Sequence, residues 1–141
     1  MGRRRGDEAR SSGYNRAANL RIGDAESMKI INETRGTTLA ERGEVAKTFW
    51  SKFRGLMGRR SLPAGEALVF NHNSSVHTFW MRFPIDVIFT DRQDIVVGLR
   101  EAMPPGRPYA GARGAYRTVE LPAGVIAQTG TERGDQLRFE E

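Results

Sequence analysis

The stretch HTFWMRFPIDVIF, residues 77 to 89, is the most apolar run of the chain, yet it contains an arginine and an aspartate. Large apolar side chains recur at every second position, which predicts a β-strand. Trp80 and Arg82 then share one face of that strand, and Met81 lies on the opposite, core face. Pro84 has no N–H to donate to a neighbouring strand, so it predicts a bulge or a sheet edge before the strand resumes.

Short apolar runs of the same kind recur on both sides of this stretch. They predict strands in MKIINE, TTLAERGEVA, ALVF, IVVGL, YRTVEL and QLRF, with one possible helical turn in PAGVIAQTG. Apolar residues at helical spacing predict one short helix near residues 48-57, and MPPGRPYAGARG (103–114) predicts a long mobile loop. Because strands and helices do not alternate, the order predicts a mainly β (α+β) domain, a small antiparallel barrel or sandwich.

Length and composition restrict the function classes. The chain has 141 residues, no cysteine and a net charge of +5, which excludes disulfides, thiolate nucleophiles and cysteine-based zinc sites. Residues 1–27 lack apolar periodicity and predict a disordered tail, so residues 28–141 form the single predicted domain and Met28 is a possible translation start. No secretory signal or membrane span is recognisable, so a cytoplasmic location is predicted.

The basic residues are scattered rather than grouped along the chain. This distribution does not favour nucleic-acid binding, which needs a basic stripe that follows the phosphates. His72 and His77 are the only histidines, and without cysteines they make a poor metal site. Neither a metal nor a cofactor is therefore predicted.

Five motifs follow one another along the chain: FRGLMGR (53–59), the LP–G–ALVF run (62–70), FWMRFPIDVIF (79–89), VELPAG (119–124) and the closing Gly134-Asp135. In this order and spacing the sequence resembles the domain of unknown function 192 family over residues 28–141. The resemblance implies a compact, mostly β single domain with a small helical element, and it implies no particular activity. Some family members look exported, whereas this sequence shows no leader. Arg82-Phe83 stands where family members often carry a lysine and a small polar residue.

Three charged residues stand out as candidates. Arg54 lies at the border of the apolar arc of the predicted helix, where it can form a structural ion pair or contact a ligand. Asp86 and Glu120 are lone carboxylates inside apolar strands. Each either points to water or, if buried, needs a partner, and we expect Arg54 to contact one of them.

These residues support three hypotheses about function. The first is a binding module for a small polar molecule, anionic or carbohydrate-like, with Arg54, Trp80, Arg82, Asp86 and Glu120 lining a shallow pocket. The second is a hydrolytic enzyme in which Asp86 and Glu120 divide acid and base work, as in glycoside cleavage. The third is a protein-interaction domain without a small ligand, for which the sequence names no partner.

Overall fold

The computed structural model describes residues 27–46, 62–72, 75–76, 82–106 and 110–141. Within these ranges the strands are β1 (Ser27–Asn32), β2 (Thr37–Val45), β3 (Glu66–Asn71), β4 (Ser75–Val76), β5 (Ile85–Thr90), β6 (Val96–Met103), β7 (Ala110–Gly111), β8 (Arg117–Pro122) and β9 (Leu137–Glu140), with one helix, α1 (Val125–Thr129). The mainly β prediction is confirmed, and so is the helical turn in PAGVIAQTG. The helix predicted near residues 48-57 lies outside the described residues.

Seven strands form one curled half-barrel sheet in the order β6-β5-β8-β3-β2-β1-β9, and β4 pairs separately with β7. Six neighbouring pairs of the large sheet are hydrogen-bonded, and all are antiparallel except β2 and β3, which run parallel. The sheet is therefore antiparallel apart from this one pair. The chain between Val45 and Glu66 is long enough for the crossover that a parallel pair requires, whereas a tight turn would have enforced antiparallel pairing.

The two edge strands of the sheet meet at a single corner. Ile95 and Gln136 form an antiparallel bridge just before β6 and β9 begin. Backbone hydrogen bonds continue on either side of this bridge, from Val96 N to Asp135 O at 2.9 Å and from Gly134 N to Val96 O at 2.8 Å. Among the described residues, no strand of the large sheet pairs with the outer side of β6 beyond this corner, so the remainder of β6 is an edge there.

A polar cluster holds this corner to the first hairpin. Asp135 is buried and accepts hydrogen bonds at 2.9 Å from both Asn32 Nδ2 and Arg35 Nε. Burial alone would raise the pKa of Asp135, but the hydrogen bonds from Arg35 and Asn32 outweigh it and lower the pKa below its ordinary value. Gly134-Asp135, one of the family-like motifs, thus has a structural role in closing the sheet.

Apolar side chains cover both faces of the sheet. The first face carries Ile88, Val119 and Leu121, and α1 packs onto it through Ile126. The second face carries the other set, which comprises Leu62, Leu68, Phe70, Phe83, Ile85, Val87, Phe89, Met103 and Ala110. Residues that lie directly opposite each other on neighbouring strands point to the same face of the sheet. The apolar partner of a polar residue therefore shows which face that polar residue occupies.

Across the same described ranges, no helix is long and apolar enough to cross a membrane.

Candidate functional site

Asp86 is fully buried and its two oxygens are occupied by backbone donors. Oδ1 accepts from Ala102 N at 2.8 Å, and Oδ2 accepts from Gly124 N at 3.1 Å and Ile126 N at 2.8 Å. Ala102 lies at an irregularity in the β5–β6 pairing and has a positive φ of 45°, and α1 has no side-chain cap of its own. Asp86 therefore supplies the missing cap of α1 and fixes the bulge of β6, so its role in this fold is structural.

Glu120 is the second buried carboxyl, and its surroundings are different. Only 3% of the residue is exposed, and its direct neighbours across the sheet are Leu68 on β3 and Val87 on β5. Among the described residues, its Oε2 atom has no hydrogen-bond partner. Burial raises the pKa of Glu120 to about 8, so most molecules carry a protonated, uncharged Glu120 at neutral pH.

The two carboxyl groups lie on opposite faces of the sheet. Asp86 is paired with Leu121 of the first face, whereas Glu120 is paired with Val87 of the second face. Of the two alternatives for these carboxyls, exposure to water is excluded, since both are buried. A shared catalytic site would need both carboxyls to face one cleft and to flank the same scissile bond, and the sheet itself separates them.

The other predicted site residues are only partly placed. Arg82 is exposed in a bend before β5, and its neighbour Phe83 is buried on the second face. Residues 77–81 lie outside the described residues, so the predicted faces of this run stay a prediction. Arg54 and Trp80 lie outside the described residues, so a contact between Arg54 and Glu120 stays a prediction.

Metal binding finds no support in the part of the chain that the structure describes. No group of three or more His, Cys, Asp or Glu side chains in those ranges could hold a metal ion. His72 contacts the hydroxyl of Tyr116 through Nε2 at 3.1 Å and meets its ring edge-on. His77 lies outside the described residues.

A second feature, which the sequence did not reveal, is a cleft of about 410 Å³ beside the edge of β6. We call it the arginine cleft, and it is lined by Val97, Gly98, Leu99, Arg100, Gly111, Ala112, Arg113 and Arg133. It combines the edge strand with part of the predicted 103–114 loop and with the turn before β9. The 103–114 loop brings Arg113 to the edge of β6, and the corner at which the sheet closes brings Arg133 there.

Gly98 explains why the loop can lie so close to β6. A Cβ atom on this residue would come within 2.6 Å of the Ala112 Cβ and 3.3 Å of the Phe89 ring. Such distances are shorter than van der Waals contact, so a side chain at position 98 would push the loop away. Glycine at this position therefore permits the close contact that forms the wall of the cleft.

Comparison with known proteins places the chain in a family without an assigned activity. The model of domain of unknown function 192, described as Uncharacterized ACR, matches residues 30–139. A curated relative from Thermococcus sibiricus, named UPF0127 protein, is 39% identical over 117 residues, which are 79% of this chain and 74% of the relative.

Two crystal structures share the fold. One is of a proposed transcription regulator from Sinorhizobium meliloti 1021, with a TM-score of 0.69 and 22% identity, covering 81% of this chain and 92% of that protein. The other is of a protein of unknown function from Novosphingobium aromaticivorans, with a TM-score of 0.68 and 22% identity over 79% and 83% of the two chains. At such identity these structures inform on the fold alone. The match to the family model covers most of the chain, which therefore belongs to the domain of unknown function 192 family.

Proposed function

We propose that this protein is a binding module for a small hydroxyl-bearing, carbohydrate-like ligand, and that Glu120 is its polar anchor on the second face of the sheet. One observation carries the proposal: a buried carboxyl oxygen has no hydrogen-bond partner among the described residues. Buried polar atoms are almost always paired, because leaving one unpaired costs about 1–3 kcal/mol. A ligand hydroxyl would supply the missing partner.

The state of Glu120 favours an uncharged ligand at this position. With a pKa of about 8, the carboxyl is protonated at neutral pH, so it can donate one hydrogen bond and accept another, as a sugar hydroxyl requires. Its cross-strand neighbours Leu68 and Val87 are apolar and offer a surface for the C–H face of a sugar ring. Arg54, Trp80 and Arg82 remain proposed contacts of the ligand, and a cytoplasmic location remains a prediction.

Access to Glu120 requires a local opening of the fold, since only 3% of the residue is exposed. A ligand that binds the opened state and closes it again should slow amide hydrogen exchange in the strands next to Glu120. We expect slower exchange in β8, which carries Glu120, and in β3 and β5, the strands on either side of it. This pattern distinguishes binding at Glu120 from binding elsewhere on the surface.

The test is a thermal-shift screen of the full chain against monosaccharides, sugar acids and polyols. A ligand that binds only the folded protein must raise its melting temperature. We expect the Glu120→Leu variant, which is of similar size and tolerated by apolar neighbours, to lose the shift, and the control Glu101→Leu, at an exposed position of β6, to retain it. A hit that binds both variants equally would refute the anchoring role of Glu120.

A further inference from the structure

We infer that the arginine cleft binds a small dianion, a molecule bearing phosphate or carboxylate groups, at a site separate from Glu120. Arg113 and Arg133 are exposed residues that line the cleft together with Arg100. None of the three forms an ion pair with a carboxylate among the described residues. Three guanidinium groups around one cleft repel each other, and an anion between them would remove this repulsion.

Three other arginines in the described part of the chain have acidic partners. Ion pairs join Arg35 to Asp135 at 2.9 Å, Arg117 to Asp94 at 2.9 Å and Arg138 to Glu140 at 2.8 Å. The protein therefore has the means to neutralise arginines internally, and the cleft is a place where it has not done so. Within the described ranges, exposed Arg92 also forms no such ion pair, but it lies over the Tyr116 ring at 4.5 Å, whereas the cleft brings three arginines together.

The cleft also has the geometry of a defined site. Arg100 donates from Nη1 to the Leu99 carbonyl at 2.8 Å and from Nη2 to the Gly111 carbonyl at 3.4 Å, which holds its guanidinium against the wall. The contact between Gly98 and Ala112 fixes the opposing loop. A volume of about 410 Å³ lies in the range of small-molecule sites.

The chemistry favours a ligand with several oxygens that carry a charge of at least two. The planar guanidinium of arginine binds carboxylate and phosphate oxygens in pairs, and such charged hydrogen bonds are about twice as strong as neutral ones. Phosphate and carboxylate ligands share this chemistry. Pyrophosphate and citrate are therefore the two probes that identify which group the cleft prefers.

The experiment is isothermal titration calorimetry of the full chain with pyrophosphate and with citrate at low ionic strength. We expect at least one of them to bind, and the double variant Arg113→Gln/Arg133→Gln to bind it about 100-fold more weakly, since each lost charged hydrogen bond weakens affinity about tenfold. The control Arg92→Gln/Arg138→Gln removes the same charge at exposed positions that do not line the cleft. This control variant should bind the anion only slightly more weakly than the wild type, because its net charge is lower.

The outcomes separate this inference from the proposed function. Anion binding that survives Glu120→Leu but not the arginine double variant would support a separate site. The inference is wrong if neither anion binds the full chain, if the cleft variant and its control weaken binding equally, or if Glu120→Leu alone abolishes it. Tighter binding of pyrophosphate would show that the cleft prefers phosphate groups, and tighter binding of citrate would show that it prefers carboxylates.

Discussion

Replacing Glu120 by glutamine should stabilise the protein at neutral pH and reduce the dependence of its stability on pH. Burial raises the pKa of this carboxyl from 4.5 to about 8. Between these two values the folded protein keeps a proton that the unfolded chain releases. The free energy of unfolding therefore falls as pH rises through this window, by about 1.4 kcal/mol per pH unit, and falls no further above the upper value.

The size of this loss of stability follows from the pH range between the unfolded and folded pKa values of Glu120. Between about pH 5 and pH 7 the wild type should lose roughly 3 kcal/mol of stability from this one group. Glutamine has nearly the same shape and keeps an oxygen and a donor, but it has no proton to release. The variant should thus match the wild type near pH 5 and exceed it by about 2–3 kcal/mol near pH 7.

Urea unfolding followed by circular dichroism, at several pH values and constant ionic strength, measures both effects. The control is Glu101→Gln on the exposed side of β6, which should retain the dependence that Glu120 produces. Parallel curves of stability against pH for the Glu120→Gln variant and the wild type would show that Glu120 ionises in the folded state as easily as in the unfolded chain. The argument from burial would then be refuted.

Three other predictions concern stability. Asp86→Ala should destabilise the protein by about 3 kcal/mol or more in urea unfolding, because three backbone N–H groups lose their acceptor; a loss below about 1 kcal/mol would contradict the capping role. Gly98→Ala should cost about 1–3 kcal/mol from overpacking, and adding Ala112→Gly should restore most of it if the 2.6 Å contact is the cause. A chain that starts at Met28 should melt within a few degrees of the full chain, since residues 1–27 offer no apolar face to bury; a large drop in melting temperature would show that they pack.

The strands could be predicted because short apolar runs are a local property of the sequence. ALVF and IDVIF coincide with β3 and β5, and Asp86 and Glu120 stood out because a charge inside such a run is unusual. Their faces could not be predicted, because a face is set by the register between strands. A slip of one residue between β5 and β8 would place both carboxyls on the same side.

Two other features, the parallel strand pair and the arginine cleft, also depend on contacts between residues that are far apart in the sequence. The parallel pairing of β2 with β3 depends on where a long connection returns, which no local signal encodes. The arginine cleft depends on the corner between β6 and β9, which brings Arg133 to the edge beside Arg100. The residues next to Arg100 and Arg133 in the sequence do not indicate a binding site.

The corner that joins the sheet edges has a consequence for the kinetics of folding. The bonds from Asn32 and Arg35 to Asp135 close loops of about 100 residues, and β9 completes the sheet by pairing with β1. Long loops must be closed before such contacts can stabilise the fold, which makes folding slow, on the order of milliseconds to seconds for sheet proteins of high contact order. An emerging chain on the ribosome could not complete this structure until β9 had left the exit tunnel, and β1 would present an unpaired edge until then.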